Sequence, residues 1–513
     1  MLRSLRNIRR LIQIARILAR NDALFPLEDF GVAPAIVFAA KLVSYRKAEG
    51  RPGQRLARAL NEAGPSFIKL GQSLSTRSDL LGEELAEDLS QLQDSLPAFG
   101  GDQARKIIEA EFECPLSELY SSFDDQAIAA ASIAQVHFAT TIDGREVAVK
   151  VLRPDIEAAF ARDMELLRWV ARLVERTQPE LRRLKPQATV ETLAATVVLE
   201  MDLRFEAAAA AEIGDNFIDD PEFTVPEVDW SRTGKKVLTT RRLSGIPMDD
   251  LEAITKAGHN PVDILQKASN ATFKQIFRDG FFHADVHPGN LFVLPDGSIG
   301  AVDFGIMGRV DLPTRRTLGE LLLAFLSRDF HRAAEVHFEA GWVPAHQDVD
   351  AFTQACRSIA EPILDRPQNE ISIGKLLGQL FEITETFQME AQPQLLLLQK
   401  TMLVAEGTGR KLVPDANMWM LARPLVEEWM FANLGPEAKI KSAVEDLGKT
   451  IQRLPHLLDA IESGASMIKD GRLNLHPDTI RALRNGGHKS SIPPSTWLII
   501  ATLFALAAFL KWG

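Results

Sequence analysis

Apolar residues recur at helical spacing from the first turn of the chain. Leu2, Leu5, Ile8, Leu11, Ile12, Ala15 and Leu18 fall on one side, and Arg3, Arg6, Arg9, Arg10, Arg16 and Arg20 surround them with no acidic residue between. This predicts a basic amphipathic helix, of the kind that lies on anionic lipid or serves as a mitochondrial presequence, an ordinary surface helix being the alternative. A second apolar stretch, Gly31 to Ala40, is broken by Pro34 and too short to span a bilayer. After the loop Gly50-Arg51-Pro52-Gly53 the pattern is helical to about Glu111, mixed with strand signals to Gly245, and mostly helical again to Arg410. The Leu395–Leu398 run is read as core, and helices continue to about Asp470. Gly486-Gly487 and Pro493-Pro494 mark a linker. No repeat is apparent.

The chain ends on a different pattern. Ser490 to Leu510 carries no charge, and Trp497 to Leu510 is apolar apart from Thr502. Fourteen residues rise about 21 Å, short of the roughly 30 Å hydrocarbon core, but Trp497 and Trp512 extend the segment as interfacial residues. The reading is a short transmembrane or inserted tail, with a buried terminal helix as the alternative. Arg481, Arg484 and Lys489 precede the tail and only Lys511 follows, which places the main body in the cytosol. The expected segments are 1–55, basic and membrane-proximal; 56–122, a helical extension; 123–248, a small lobe; 249–410, a large lobe; 411–489, a helical region; and 490–513, the tail.

Composition narrows the function classes. The 513 residues are 46% hydrophobic, enough to bury a sizeable core, and the net charge of -11 argues against nucleic acid as a main partner. Cys114 and Cys356 are far apart and without metal-ligand spacing, as suits a reducing cytoplasm.

Candidate chemistry lies in two hairpins. Asp296-Gly297 between apolar runs signals a type I′ turn, and a hairpin centred there sets Asn290 directly opposite Asp303, with Cα atoms roughly 4.5 to 5.5 Å apart. An amide oxygen and a carboxylate so placed suit Mg²⁺ carried in on a nucleotide. Asp285, five residues before Asn290, has the spacing of the catalytic-loop Asp and Asn of kinases, and Asp303-Phe304-Gly305 completes a phosphoryl-transfer constellation. In the other hairpin, Val147-Ala148-Val149-Lys150 is a strand, and symmetry about Asp143-Gly144 sets His137 opposite Lys150. The segment Ala129-Ala130-Ala131-Ser132-Ile133-Ala134 then arches at the mouth of the strand pair, where kinases carry a glycine loop over the phosphates. Alanine forced to positive φ costs about 1 to 2 kcal/mol, so this loop is expected to handle nucleotide differently.

One of Glu200, Asp202 and Glu206 is expected to pair with Lys150. Pro65 suits the first position of a helix that carries Lys69, Gln72, Ser73 and Thr76 along one side and Phe67, Leu70 and Leu74 along another.

Lys69-Leu70-Gly71-Gln72, the alanine-rich loop Ala129 to Ser132, Glu200-Met201-Asp202 and the site hairpin together resemble UbiB, the family of atypical, protein-kinase-like kinases required for ubiquinone biosynthesis. The resemblance covers most of the chain. It implies an α+β, protein-kinase-like two-lobe fold with an N-terminal helical extension packed over the cleft and a C-terminal membrane tail. Lys69 and Gln72 would enter the nucleotide site and shut out protein substrates. It further implies ATP and Mg²⁺ as cofactors, Lys150 as the phosphate lysine and Glu206 as its partner. Asp285 would be the catalytic-loop Asp, Asn290 and Asp303 the metal ligands, and Glu200 and Asp202 extra carboxylates beside the nucleotide. Ala209 stands where the pattern has Asn, and Thr240-Arg241-Arg242-Leu243 lacks an acidic residue expected there.

The implied activity is that of a membrane-stimulated ATPase or kinase at the inner membrane of a bacterium, or the mitochondrial inner membrane in a eukaryote. Its implied partners are membrane lipid, polyprenyl-phenol quinone precursors and ubiquinone-biosynthetic enzymes. His283 to Asn290 also resembles the aminoglycoside and choline kinase site, so a small-molecule phosphotransferase is the second reading. A nucleotide-responsive, non-catalytic scaffold is the third.

Overall fold

Two Asp-Gly hairpins set the strand registers on which the site depends, and both close one residue away from the predicted pairing. In a computed structural model, strands β3 (Ala134–Thr141) and β4 (Glu146–Leu152) pair Val136 with Lys150 and His137 with Val149. Strands β9 (Leu291–Val293) and β10 (Ile299–Ala301) pair Leu291 with Ala301. The type I′ reading is therefore corrected. Each loop holds three residues, Ile142-Asp143-Gly144 and Pro295-Asp296-Gly297, closed by Thr141 N–H to Arg145 O and Leu294 N–H to Ser298 O, both 2.9 Å. The glycines lie at φ +84° and +77°, the left-handed residue that ends a type I turn in a bulged hairpin.

The structure describes residues 2–25, 49–75, 83–90, 92, 96–177, 186–362, 379, 383–384, 386–389, 393–414 and 418–434. They fall in one unit, Met1–Gly435; the second unit, Pro436–Gly513, with the tail read as membrane-inserted, lies outside the described residues. So does the apolar stretch from Gly31 to Ala40. Among the described residues no helix is long and apolar enough to cross a membrane.

The small lobe is an antiparallel sheet in the order β1 (Tyr120–Phe123), β3, β4, β6 (Val237–Arg241), with β2 (Ala129–Ala130) also on β3. Strand alternation divides its faces. Val147, Val149 and Val151 pack against Ala104 and Ile108 of the helix Gly101–Phe112. Lys150 and Leu152 point to the other face, where Leu152 joins a core shared with the helix Leu203–Asn216 and with Ile299, Ala301 and Phe304 of the large lobe. There β9 and β10 lie between β5 (Phe223–Thr224) and β7 (Ile246–Pro247). A second ribbon pairs β8 (Phe281–His283) with β11 (Met307–Arg309). The segment from Ala284 to Asn290 runs from one ribbon to the other.

The N-terminal extension is a helical layer. Leu2–Arg20, Pro52–Ala63, Pro65–Ser75 and Glu83–Ser90 bury Leu11, Ile14, Leu18, Leu56, Leu60, Phe67 and Leu89 against Leu166 of the helix Ile156–Thr177. The apolar stripe read as lipid-facing is thus packed against protein, and the outward residues include Arg9, Gln13, Arg16 and Arg20. Arg10 anchors the layer, donating to both oxygens of buried Asp163 at 2.8 and 3.1 Å and to the Ala63 carbonyl at 3.1 Å.

Gly71 is where two elements approach too closely for a side chain. A Cβ there would stand 2.4 Å from Leu92 Cδ1 and 2.8 Å from Leu60 Cδ1. Gly71→Ala is therefore expected to lower stability by about 1–3 kcal/mol, and by much less in a Leu92→Ala background. Equal costs in both backgrounds on urea denaturation would show that this contact does not explain the glycine.

Candidate phosphoryl-transfer site

Lys150 joins three segments that are distant in sequence. Its Nζ donates to Glu206 Oε1 and Oε2 at 2.8 and 2.9 Å, and to Asp303 Oδ1 at 2.7 Å. Glu206 sits in the first turn of the helix Leu203–Asn216, four residues after the Asp202 N-cap, so its carboxylate points across the small-lobe sheet. Asp303 stands two residues after the end of β10. The one-residue shift places Asn290 opposite Val302, whose N–H donates to the Asn290 carbonyl at 2.9 Å, so the expected direct opposition of Asn290 and Asp303 is corrected. Asp303 instead leaves the ladder at φ +62°, and that left-handed turn carries its carboxylate to Lys150.

Burial alone would push the Lys150 ammonium down, but the Asp303 and Glu206 carboxylates outweigh it and hold it above its ordinary value. Lys150 in turn draws the Asp303 carboxyl down to about 2. Glu206 goes the other way, pushed up to about 7 by burial against the pull of Lys150. Of the two acids sharing one lysine, Asp303 is the one that stays ionised across neutral pH.

The segment around Asp285 is pinned by side chains within it and beside it. His283 is buried, accepts the Asp285 N–H on Nδ1 at 3.1 Å and donates from Nε2 to the Val302 carbonyl at 3.0 Å, a tautomer assigned from these two bonds. Burial lowers its pKa and keeps the ring neutral. A π-turn, Lys274–Asp279, sets the Gln275 side-chain oxygen on the His283 N–H at 2.9 Å. Asn290 Nδ2 donates to the Asp285 carbonyl at 3.1 Å, a bond that does not use the amide oxygen. Asp285 Oδ1 lies 3.5 Å from Nζ of Lys400.

The extension contributes Lys69, nearly buried, with Nζ 3.0 Å from Glu200 Oε2. Its charge also reaches Asp303. Gln72, one turn on, donates toward the Leu92 carbonyl at 3.5 Å. Asp202 is not drawn into the Lys150 group. It accepts the Arg204 N–H at 3.2 Å as a helix cap and grips the Arg204 guanidinium at 2.8 and 2.6 Å.

The alanine-rich segment is a rigid hairpin. Ala129 and Ala130 pair with Val136 and Gln135, Ala131 N–H donates to Ala134 O at 2.8 Å, and no residue from 129 to 134 takes a positive φ. Arg153 clamps it, donating to the Ala131 carbonyl from Nε and Nη2 at 3.0 and 2.8 Å and to the Pro97 and Leu96 carbonyls at 2.9 and 3.2 Å. Gln135 holds both backbone groups of Phe99. Ser132 is fully buried and its hydroxyl meets no hydrogen-bond partner among the described residues.

A family model described as an ABC1 atypical kinase-like domain matches residues 91–337, and one described as a UbiB helical domain matches residues 356–417. A Marinobacter nauticus protein named probable protein kinase UbiB is 41% identical over 469 residues, covering 90% of this chain and 86% of that protein. The chain belongs to the UbiB family. An Azotobacter vinelandii relative of the same name is 39% identical over 460 residues, or 88% of this chain and 85% of its own. The Mycobacterium tuberculosis protein Rv3197, solved in complex with erythromycin, aligns with a TM-score of 0.50 at 23% identity over 77% of this chain and 97% of that one. At that identity the likeness speaks for the fold alone.

Within this UbiB-family fold the structure brings Lys150, Glu206 and Asp303 together, sets Lys69 with Glu200 within electrostatic reach, and ties Asp285 to Asn290 in one segment. Ala209, where the family pattern has Asn, is buried in the shared core. Among the described residues no cluster of three or more His, Cys, Asp or Glu is placed to hold a metal by itself. An ionised Asp303 and the Asn290 amide oxygen fit Mg²⁺, which is commonly bound by one or two protein oxygens together with substrate phosphates. Sequence reasoning gave no role to His283, Gln275, Arg153 or Lys400. The first had a signal in its place two residues before Asp285.

Glu206 also makes a pH expectation. Its folded pKa of about 7 lies above the ordinary 4.5, so between those values the folded protein binds its proton more readily than the unfolded chain. This group's contribution to stability is fully present below about pH 4.5 and is lost as pH rises through about 7. Urea denaturation at several pH values should show that slope in the wild type and its loss in Glu206→Gln. An unchanged slope would remove Glu206 as its source.

Proposed function

We propose that this UbiB-family chain is a membrane-associated atypical kinase or ATPase that binds Mg-ATP and supports ubiquinone biosynthesis, acting on or through polyprenyl-phenol intermediates or their enzymes. The observation that carries the reading is the meeting of Lys150, Glu206 and Asp303 beside a loop that presents Asp285 and Asn290. Lys150 offers a fixed positive charge to the nucleotide phosphates, and Asp285 accepts or orients the acceptor's hydroxyl proton. Mg²⁺ bound with the nucleotide would be held by Asn290 and Asp303 and would neutralise charge on the phosphates.

The other parts support particular clauses. Lys69, brought by the extension onto Glu200, supports the exclusion of protein substrates that the family resemblance implies. The pinned alanine hairpin lacks the positive-φ backbone with which a glycine loop wraps phosphates. Membrane association rests on the uncharged tail from Ser490 to Leu510 and on the Arg9, Gln13, Arg16 and Arg20 stripe, and inner-membrane placement on the charge bias before the tail. The quinone pathway rests on the family.

The test is nucleotide turnover by the purified full chain, with and without anionic liposomes and a phenolic quinone-precursor mimic. Turnover is expected to rise in their presence. Asp303→Asn should reduce it at least about 100-fold while leaving the far-ultraviolet circular dichroism spectrum unchanged. Wild-type turnover in that variant would refute the metal-ligand role.

A further inference from the structure

We propose that Lys400, from the long helix Pro393–Leu412, is a catalytic residue of this site, the cation that meets the γ-phosphoryl group on the Asp285 side. The inference rests on the Mg-ATP reading above and deepens it. Lys400 lies 115 residues beyond Asp285, outside the kinase-like match at 91–337 and inside the helical-domain match at 356–417.

Its position is built. Thr401, fully buried beside it, donates to the Ala284 carbonyl at 3.3 Å as well as to Leu397 O at 2.9 Å, which fastens the helix to the residue before Asp285. Leu398 packs in one core cluster and Leu412 in another, so the helix is held at both ends of this span. From that anchor Lys400 reaches to 3.5 Å from Asp285 Oδ1.

The three lysines of the site are committed to different degrees. Lys150 is held by two carboxylates at hydrogen-bond distance, and the Lys69 ammonium by Glu200 at 3.0 Å. Lys400 faces its acid beyond normal hydrogen-bond range, and its side chain is 32% exposed against 14% for Lys150 and 9% for Lys69. It is therefore the cation that turns to an incoming phosphate at least cost. Its place beside the proton-accepting Asp285 fits the transferred group, because the acceptor whose proton Asp285 takes is the one that attacks Pγ.

In the step, an acceptor oxygen forms a bond to Pγ and its proton passes to the Asp285 carboxylate. The bond from Pγ to the β,γ-bridging oxygen breaks, and the electron pair leaves with ADP. Lys400 exchanges no proton. It balances the negative charge spread over the equatorial oxygens of the phosphoryl group.

The experiment compares Mg-ADP with a non-hydrolysable Mg-ATP analogue for binding, and Mg-ATP for turnover, in wild type, Lys400→Met, Lys400→Arg and the exposed-surface control Lys411→Met. Lys400→Met is expected to weaken the ATP analogue about tenfold with ADP within twofold, and to cut turnover about 100-fold. Lys400→Arg should recover part of both, and Lys411→Met should match the wild type. An unchanged ratio of analogue to ADP affinity overturns the proposal, and so does equal loss of both nucleotides with a lowered melting temperature, which would mark Lys400 as structural. If the wild type binds the nucleotides but never turns ATP over, the activity reading fails while the affinity ratio still judges Lys400. If it binds neither, both fall.

Discussion

A single ammonium group, Lys150 Nζ, sits between two carboxylates that come from different lobes, and the geometry of the cleft follows from that arrangement. The lysine is delivered by the central run of the small-lobe sheet, Glu206 by the helix behind it, and Asp303 by the end of a large-lobe strand. The Lys150–Glu206 pair is the buried one, Asp303 being 44% exposed, so the costly change is loss of Lys150, about 3–5 kcal/mol for leaving Glu206 buried and unpaired. With both acids ionised the trio carries one negative charge more than Lys150 cancels. The excess is met in part by Lys69 and in part by burial raising the pKa of Glu206.

The extension takes part in this charge balance. Arg10 on Asp163 fixes the helical layer to the lobe, the tight Gly71 approach holds the helices within the layer together, and the helix so fixed sets Lys69 on Glu200 and within the field of Asp303. Arg153 and Gln135 fix the opposite boundary, tying the alanine hairpin to residues 96–99 at the end of the extension. A loop held by an arginine on its carbonyl has little freedom to fold over phosphates. The charges that face the site are those of side chains, Lys150, Lys69 and Asp303, already set against one another.

Much of this was legible in the sequence because it depends on local spacing. Glu206 was among three acids weighed as the Lys150 partner, and Asp285 and Asn290 fall in one loop because five residues cannot place them elsewhere. The strand pairs were found, but both registers were read one residue off for one reason. Asp-Gly in the middle of a two-residue turn and Asp-Gly closing a three-residue turn look alike in sequence, and the choice shifts every pairing by one. His137 shows the consequence: placed opposite Lys150 by the sequence reading, it lies opposite Val149, bonded to the Asp124 carbonyl and stacked on Phe123. Arg153 and Lys400 were illegible for a different reason. Their partners are carbonyls and an acid brought near only by tertiary packing, and no periodicity marks such contacts.

The shifted register explains the backbone at Asp303. Had the hairpin closed on two residues, Asp303 would have ended in the ladder opposite Asn290, in extended conformation. With three, Val302 takes that place and makes the ladder bond, and the chain must turn sharply to bring the next residue to Lys150. It does so through a left-handed conformation that costs an L-residue about 1–2 kcal/mol. Glycine would relieve the strain but has no carboxylate. Aspartate is among the few side chains enriched at positive φ, and it supplies an acid on a short arm. The residue type at 303 is thus set twice, by the lysine it faces and by the turn it must make. A backbone strain retained at this point, and offset by two strong contacts to one ammonium, is what a position held for chemistry looks like.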